Sequence, residues 1–155
     1  MKFRYDTYCG LYCGACPVLI ANEEGTVEDT AQEWDMNPDD ITCHGCKTDI
    51  ISVYCKTCDI KECAESKKIE FCIDCKGYPC DRLTAFRNDE CPHHSVIFKN
   101  LGVIHKKGVD TWLDKQEVRW KCPHCGEGYA WYDAVCKKCG NNLYNCEDEE
   151  KDLQE

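Results

Sequence analysis

Seventeen of the 155 residues are cysteine, and twelve of those fall in six Cys-x-x-Cys pairs. This spacing puts two thiols on one tight turn, where they can chelate a soft or borderline metal ion through sulfur. The same spacing suits scaffold disulfides poorly, and an odd total leaves one thiol over. Reduced, metal-binding cysteines are therefore expected rather than a secreted disulfide framework.

The C-terminal block carries the clearest pattern. Cys122-Pro-His-Cys125-Gly126 is followed after the turn by Cys136-Lys-Lys-Cys139-Gly140, with glycines where such a turn needs positive φ. Tyr129 to Tyr132 reads as a strand between the two turns, and the block predicts a zinc ribbon. One iron ion takes the same four-thiolate geometry, so zinc is preferred and iron is the alternative. In the N-terminal block, Cys13 and Cys16, Cys43 and Cys46, Cys55 and Cys58, and Cys72 and Cys75 are expected to act as paired ligands. Cys55-x-x-Cys58-x4-Cys63 recurs as Cys72-x-x-Cys75-x4-Cys80, offset by 17 residues, so Cys63 and Cys80 read as completing ligands, while Cys9 is a further candidate ligand or a structural thiol. Two four-ligand sites use eight of these eleven thiols. Three sites need a twelfth ligand, for which His44, Cys91, His93 and His94 are the candidates. His44 and His124 lie within their own knuckles and read as non-ligating. Three or four zinc ions are expected in all, one in the ribbon and two or three in the first block.

Other cysteine chemistry fits less well. Cys9-x3-Cys13-x2-Cys16 resembles the cluster motif of radical enzymes that use S-adenosylmethionine, but their barrel needs roughly 200 residues or more and only 139 follow Cys16. The ferredoxin run Cys-x2-Cys-x2-Cys is absent. No βαβ pattern surrounds any pair, which weakens a thioredoxin-like reading. An iron–sulfur cluster in a redox protein stays as the alternative cofactor. A catalytic zinc needs an open coordination position, and every strong motif here is a complete four-thiolate set. The chain thus reads as a zinc-binding, non-catalytic binding or adaptor module; for an enzyme, Cys9 and His94 would be the candidates.

The elements that position these residues must manage with little oil. Without the cysteines, the hydrophobic share falls from 43% to about 32%, well under the usual apolar fraction. Ile97, Leu101 and Ile104 share one face of a helix over 95–107 that ends at Gly108, and a second helix starts at Asp110 or Thr111. Thr26 is placed to cap a helix carrying Val27, Ala31 and Trp34, stopped by Asn37-Pro38. The expected fold is small, irregular α+β. It comprises a metal-stabilised, zinc-finger-like N-terminal domain (1–92), a short helical connector (93–120), a C-terminal zinc ribbon (121–146) and an acidic disordered tail (147–155).

One set of residues resembles a known family. Tyr8-Cys-Gly-Leu-Tyr-Cys-Gly-Ala-Cys-Pro17, Cys43-His-Gly-Cys46, Cys55-x-x-Cys58-Asp-Ile-Lys-Glu-Cys63 and Cys72-x-x-Cys75-Lys-Gly-Tyr-Pro-Cys80 occur in that order. Over roughly residues 8 to 90 the chain is similar to a domain-of-unknown-function family of small cysteine-rich prokaryotic proteins. The resemblance implies a cysteine-ligated scaffold holding zinc, and no reaction or substrate.

Charge narrows the partners. The net charge is −10, yet 14 of the 29 acids sit in residues 22–40 and 147–155, leaving the rest of the chain at about +3. Four thiolates on a zinc ion add negative charge, so tight nucleic-acid binding through phosphate neutralisation is disfavoured. Lys137, Lys138, Trp131 and Tyr132 are what a nucleic-acid reading would use. Six bases against three acids in 99–121 make an acidic protein or a small ligand the expected partner of residues 95–140. The longest aliphatic stretch, Val18 to Ala21, is too short for a signal peptide or a membrane span, so a cytoplasmic location is expected.

Overall fold

The computed structural model describes residues 2–154; Met1 and Glu155, the outer ends of the expected first domain and tail, lie outside the described residues. The helices are α1 (Pro17–Glu24), α2 (Val27–Glu33), α3 (Val53–Lys56), α4 (Asp59–Lys67), α5 (Asp81–Arg87), α6 (Ile97–Lys107), α7 (Val109–Arg119) and α8 (Cys146–Leu153). Short 3-10 turns at Cys13–Ala15, Pro38–Ile41, Cys72–Asp74 and Pro92–His94 join them with irregular chain. None of these helices is long and apolar enough to cross a membrane.

Local sequence explains several boundaries. Pro17 opens α1 with its φ already helical, and Gly25 closes it at φ 72°, a left-handed conformation that glycine adopts without steric cost. α2 follows Thr26, but the Thr26 hydroxyl makes no cap hydrogen bond and turns back to the Ala21 carbonyl; the helix ends at Glu33, ahead of Asn37-Pro38, and leaves Trp34 exposed rather than on the buried face. Ile97, Leu101 and Ile104 form the buried stripe of α6, and the chain turns at Gly108 into α7, which buries Trp112.

The expected α+β class is overturned. Among the described residues there is no strand; the only ladder-type pairings are isolated bridges, Lys121 with Gly128 and Val135 with Asn142. A zinc ribbon needs β-hairpins, so the C-terminal block is not one, and the zinc-finger-like description of the N-terminal domain falls for the same reason. The predicted strand at Tyr129 to Tyr132 fails because its amides serve different segments. Tyr129 N–H donates to the Trp120 carbonyl at 2.9 Å, whereas Trp131 N–H donates to the distant Ala15 carbonyl at 3.0 Å. A ladder requires successive residues to pair with one neighbour. The tail read as disordered is helical over 147–153, as the body of α8. Asn145 caps it by accepting from the Glu147 and Asp148 amides while Asp148 accepts from the Asn145 amide.

One core runs from end to end. Tyr12, Ala15, Ile60, Leu83, Ile97, Leu101, Trp112, Trp120, Trp131 and Leu143 are buried in a single cluster. Val18, Leu19, Ala31 and Ile41 form a smaller one under α1 and α2. Tyr12 meets Trp112 edge to face with ring centroids 6.0 Å apart, and buried Asn100 donates to the Gly10 carbonyl at 2.8 Å. Gly10 sits at φ 96°, and a Cβ there would stand 2.8 Å from the Ile97 carbonyl oxygen, so α6 lies directly against the cysteine-bearing loop. The aromatic residues supply the area that scarce aliphatics do not.

Candidate metal centre

Two turns of the same design build the C-terminal site. The Cys122 N–H donates to the Glu127 carbonyl at 2.7 Å and the Gly126 N–H to the Cys122 carbonyl at 2.8 Å. The second turn repeats this with Cys136 to Asn141 at 2.8 Å and Gly140 to Cys136 at 2.9 Å. Gly126 and Gly140 take φ of 82° and 77°, as the spacing required. The turns face each other so that Cys122 Sγ lies 3.6 Å from Cys139 Sγ and Cys125 Sγ lies 3.6 Å from Cys136 Sγ. All four sulfurs fall within 4.8 Å of one another. This is far longer than a disulfide, about 2.05 Å. It matches the edge of a tetrahedron with metal–sulfur bonds of about 2.3 Å.

Electrostatics favour the same conclusion. Backbone N–H groups of Cys139 and Lys138 aim at Cys136 and hold its thiol down at about 6, and the Cys125 amide does the like for Cys122. The Glu127 amide acts to lower Cys125, but desolvation and the crowding of Cys136, Cys139 and Cys122 push it up to about 12. Four neighbouring thiols cannot all lose protons alone; a dication supplies the compensating charge. These four cysteines can hold a metal ion.

The N-terminal thiols are arranged differently from the sequence repeat. Cys43 and Cys55 lie side by side, with Cys43 lowered and Cys55 raised by their shared hydrogen bond. Cys13, raised by burial, feels Cys46, Cys16, Cys43 and Cys9. Cys72 is raised to about 12 by burial and then by Cys9, Cys80, Cys63 and Cys75. Cys63 thus lies near Cys72, Cys75 and Cys80 of the second copy, and buried Cys9 is felt by both sets. Cys58 is placed near Cys9. Backbone amides point at several sulfurs, Gly45 to Cys43 at 3.4 Å, Gly77 to Cys75 at 3.3 Å and Leu83 to Cys80 at 3.4 Å. Lys67 Nζ adds a contact to Cys75 at 3.2 Å. Among the described residues, no three of these eleven bring their sulfurs within 4.8 Å of one another. His44 packs on the Phe3 ring, centroids 4.6 Å apart.

A second group of donors was only half visible in the sequence. Asp89, Cys91 and His94 bring a carboxylate oxygen, a sulfur and a ring nitrogen within 4.8 Å of one another. Cys91 and His94 stood out as spare ligands, whereas Asp89 did not; the signal was an acid two residues before the cysteine and five before the histidine.

A family profile described as "Protein of unknown function (DUF3795)" matches residues 5–85, just over half of the chain. The chain belongs to this family. The DUF3795 match takes in all eleven N-terminal cysteines and ends before Asp89 and the four-thiol site. No curated protein and no solved structure matches the chain.

Proposed function

We propose that this DUF3795 protein is a zinc-binding module that uses thiolate-held ions in place of a large apolar core and serves as a binding or adaptor protein rather than a catalyst. The observation that carries the reading is the four-sulfur group of Cys122, Cys125, Cys136 and Cys139, with its 3.6 Å edges and its convergent amides. Its four ligands are all protein sulfurs, which leaves no position for substrate. The two N-terminal sets, Cys13, Cys16, Cys43, Cys46 and Cys55 on one side and Cys63, Cys72, Cys75 and Cys80 on the other, have the numbers for one further ion each, with Cys9 and Cys58 between them. Exposed Lys99, Lys106, Lys107 and Lys115 on α6 and α7 suit an acidic partner.

Elemental analysis of the full chain after anaerobic purification tests the metal. Three or four zinc ions per chain are expected. Fewer than two metals would sink the reading, and iron with inorganic sulfide and absorption near 400 nm would replace it with an iron–sulfur protein.

A further inference from the structure

The turn after α5 gathers three different donor atoms in six residues. Pro92–His94 is 3-10 helical, and its His94 N–H donates to the Cys91 carbonyl at 3.0 Å, which puts Cys91 and His94 on one side of the turn. Asp89 comes back over that side. Its Oδ1 accepts the Cys91 amide at 2.9 Å, and its two oxygens lie 2.9 and 2.7 Å from His94 Nδ1. The His94 ring is fixed from behind by stacking on Phe86 of α5, centroids 3.7 Å apart and planes 19° apart. His94 is buried, Cys91 half-buried and Asp89 the outermost of the three. The ligand atoms are thus preset, and the side facing Asp89 is open to solvent.

We infer that Asp89, Cys91 and His94 form a separate metal site that takes a divalent ion of borderline softness, zinc first, with a fourth position left to water or a small ligand. The donor chemistry selects the ion. One thiolate with an imidazole and a carboxylate disfavours magnesium and calcium, which want oxygen alone, and suits zinc at ligand distances of about 2.0–2.3 Å. The ion takes the place of the direct contact that now joins the Asp89 carboxylate to His94 Nδ1 at 2.7 Å. Three protein ligands and a free fourth position are the arrangement of zinc sites that bind or activate a small molecule, unlike the closed four-thiolate group. The site lies outside residues 5–85, so it stands apart from what the DUF3795 segment itself carries.

Cadmium-113 NMR on the full chain loaded with cadmium alone tests this, because the shift reports how many sulfurs bind each ion. The expected spectrum holds four-sulfur signals and one further signal, far upfield, from an ion with a single sulfur and nitrogen and oxygen donors. Cys91→Ser and His94→Gln should each abolish that signal alone. Asp89→Asn, altering the most exposed ligand, should keep the fold and weaken cadmium binding there by at least about tenfold. The inference is overturned if the unsubstituted chain shows four-sulfur signals only, or if the mixed-donor signal survives in all three variants. Loss of the four-sulfur signals from the unsubstituted chain with the mixed-donor signal kept would instead overturn the Cys122–Cys139 assignment and leave this one standing.

Discussion

Asp6 places a full charge inside the protein, and its partners explain why it is tolerated. Its side chain is 8% exposed and meets both Lys47 Nζ and Arg4 Nη2 at 3.0 Å; Lys47 is itself only 2% exposed. Burial acts to raise the Asp6 carboxyl, but Lys47 and Arg4 outweigh it and hold it below the ordinary value of 3.8. A carboxylate depressed in the folded state contributes stability that is present above its unfolded pKa and lost as pH falls through the folded one. Asp6→Asn is therefore expected to cost on the order of 3 kcal/mol at pH 7, since Lys47 loses its buried counter-charge. Thermal unfolding at pH 7 checks the pairing: the cost of Asp6→Asn should shrink in a Lys47→Met background, and an unchanged cost would remove the lost counter-charge as its source. At the metal centre, Cys136→Ser takes away one of four sulfurs. Elemental analysis should find one fewer ion, with a lowered unfolding temperature. These four ligands were legible in the sequence because each pair carries its own turn and glycine. Asp89 was not, because a lone acid beside a cysteine looks like any other solvated acid until Phe86 and the 3-10 turn fix His94 against it.

At the scale of elements, the contact between α6 and the loop at Gly10 ties the N-terminal cysteines to the second half of the chain. Gly10→Ala should cost about 1–3 kcal/mol, from a positive φ and a Cβ aimed at the Ile97 carbonyl. Urea unfolding measures it, and a loss below a few tenths of a kcal/mol would mean that α6 moves away without resistance. α6 and α7 were readable from sequence because Ile97, Leu101 and Ile104 repeat at helical spacing and Gly108 separates the two helices. α4 and α5 are not legible in the sequence, since their buried apolar content is one or two residues, Ile60 and Ala64 or Leu83, among charged neighbours. The false strand at Tyr129 to Tyr132 had suitable side chains, but propensity says nothing of which carbonyl each amide will find. α8 was missed because its acidity outweighed a signal already present, the Asn145-x-x-Asp148 capping box.

For the whole molecule, the sequence suggested two metal-bearing blocks on a connector, and the buried cluster instead joins Tyr12 and Ala15 to Trp112, Trp131 and Leu143. Structural zinc contributes on the order of 10–16 kcal/mol per site in small fingers, comparable to or larger than the net stability of a typical domain. A strong chelator should therefore unfold the chain in one transition. Tryptophan fluorescence and amide exchange in α6 should change together, and protection of α6 that outlasts metal loss would show that the two halves are independent. The hydrogen bond from Trp131 to Ala15 also bears on how the protein is made. Translation delivers the eleven early cysteines long before Trp112 and Trp131, and at about 5–20 residues per second the ribosome needs several seconds to bridge that interval. During that time the nascent thiols have no finished interior to enter. Whether they meet a metal ion or an oxidant first is then decided by the cell's supply of each while synthesis is still under way.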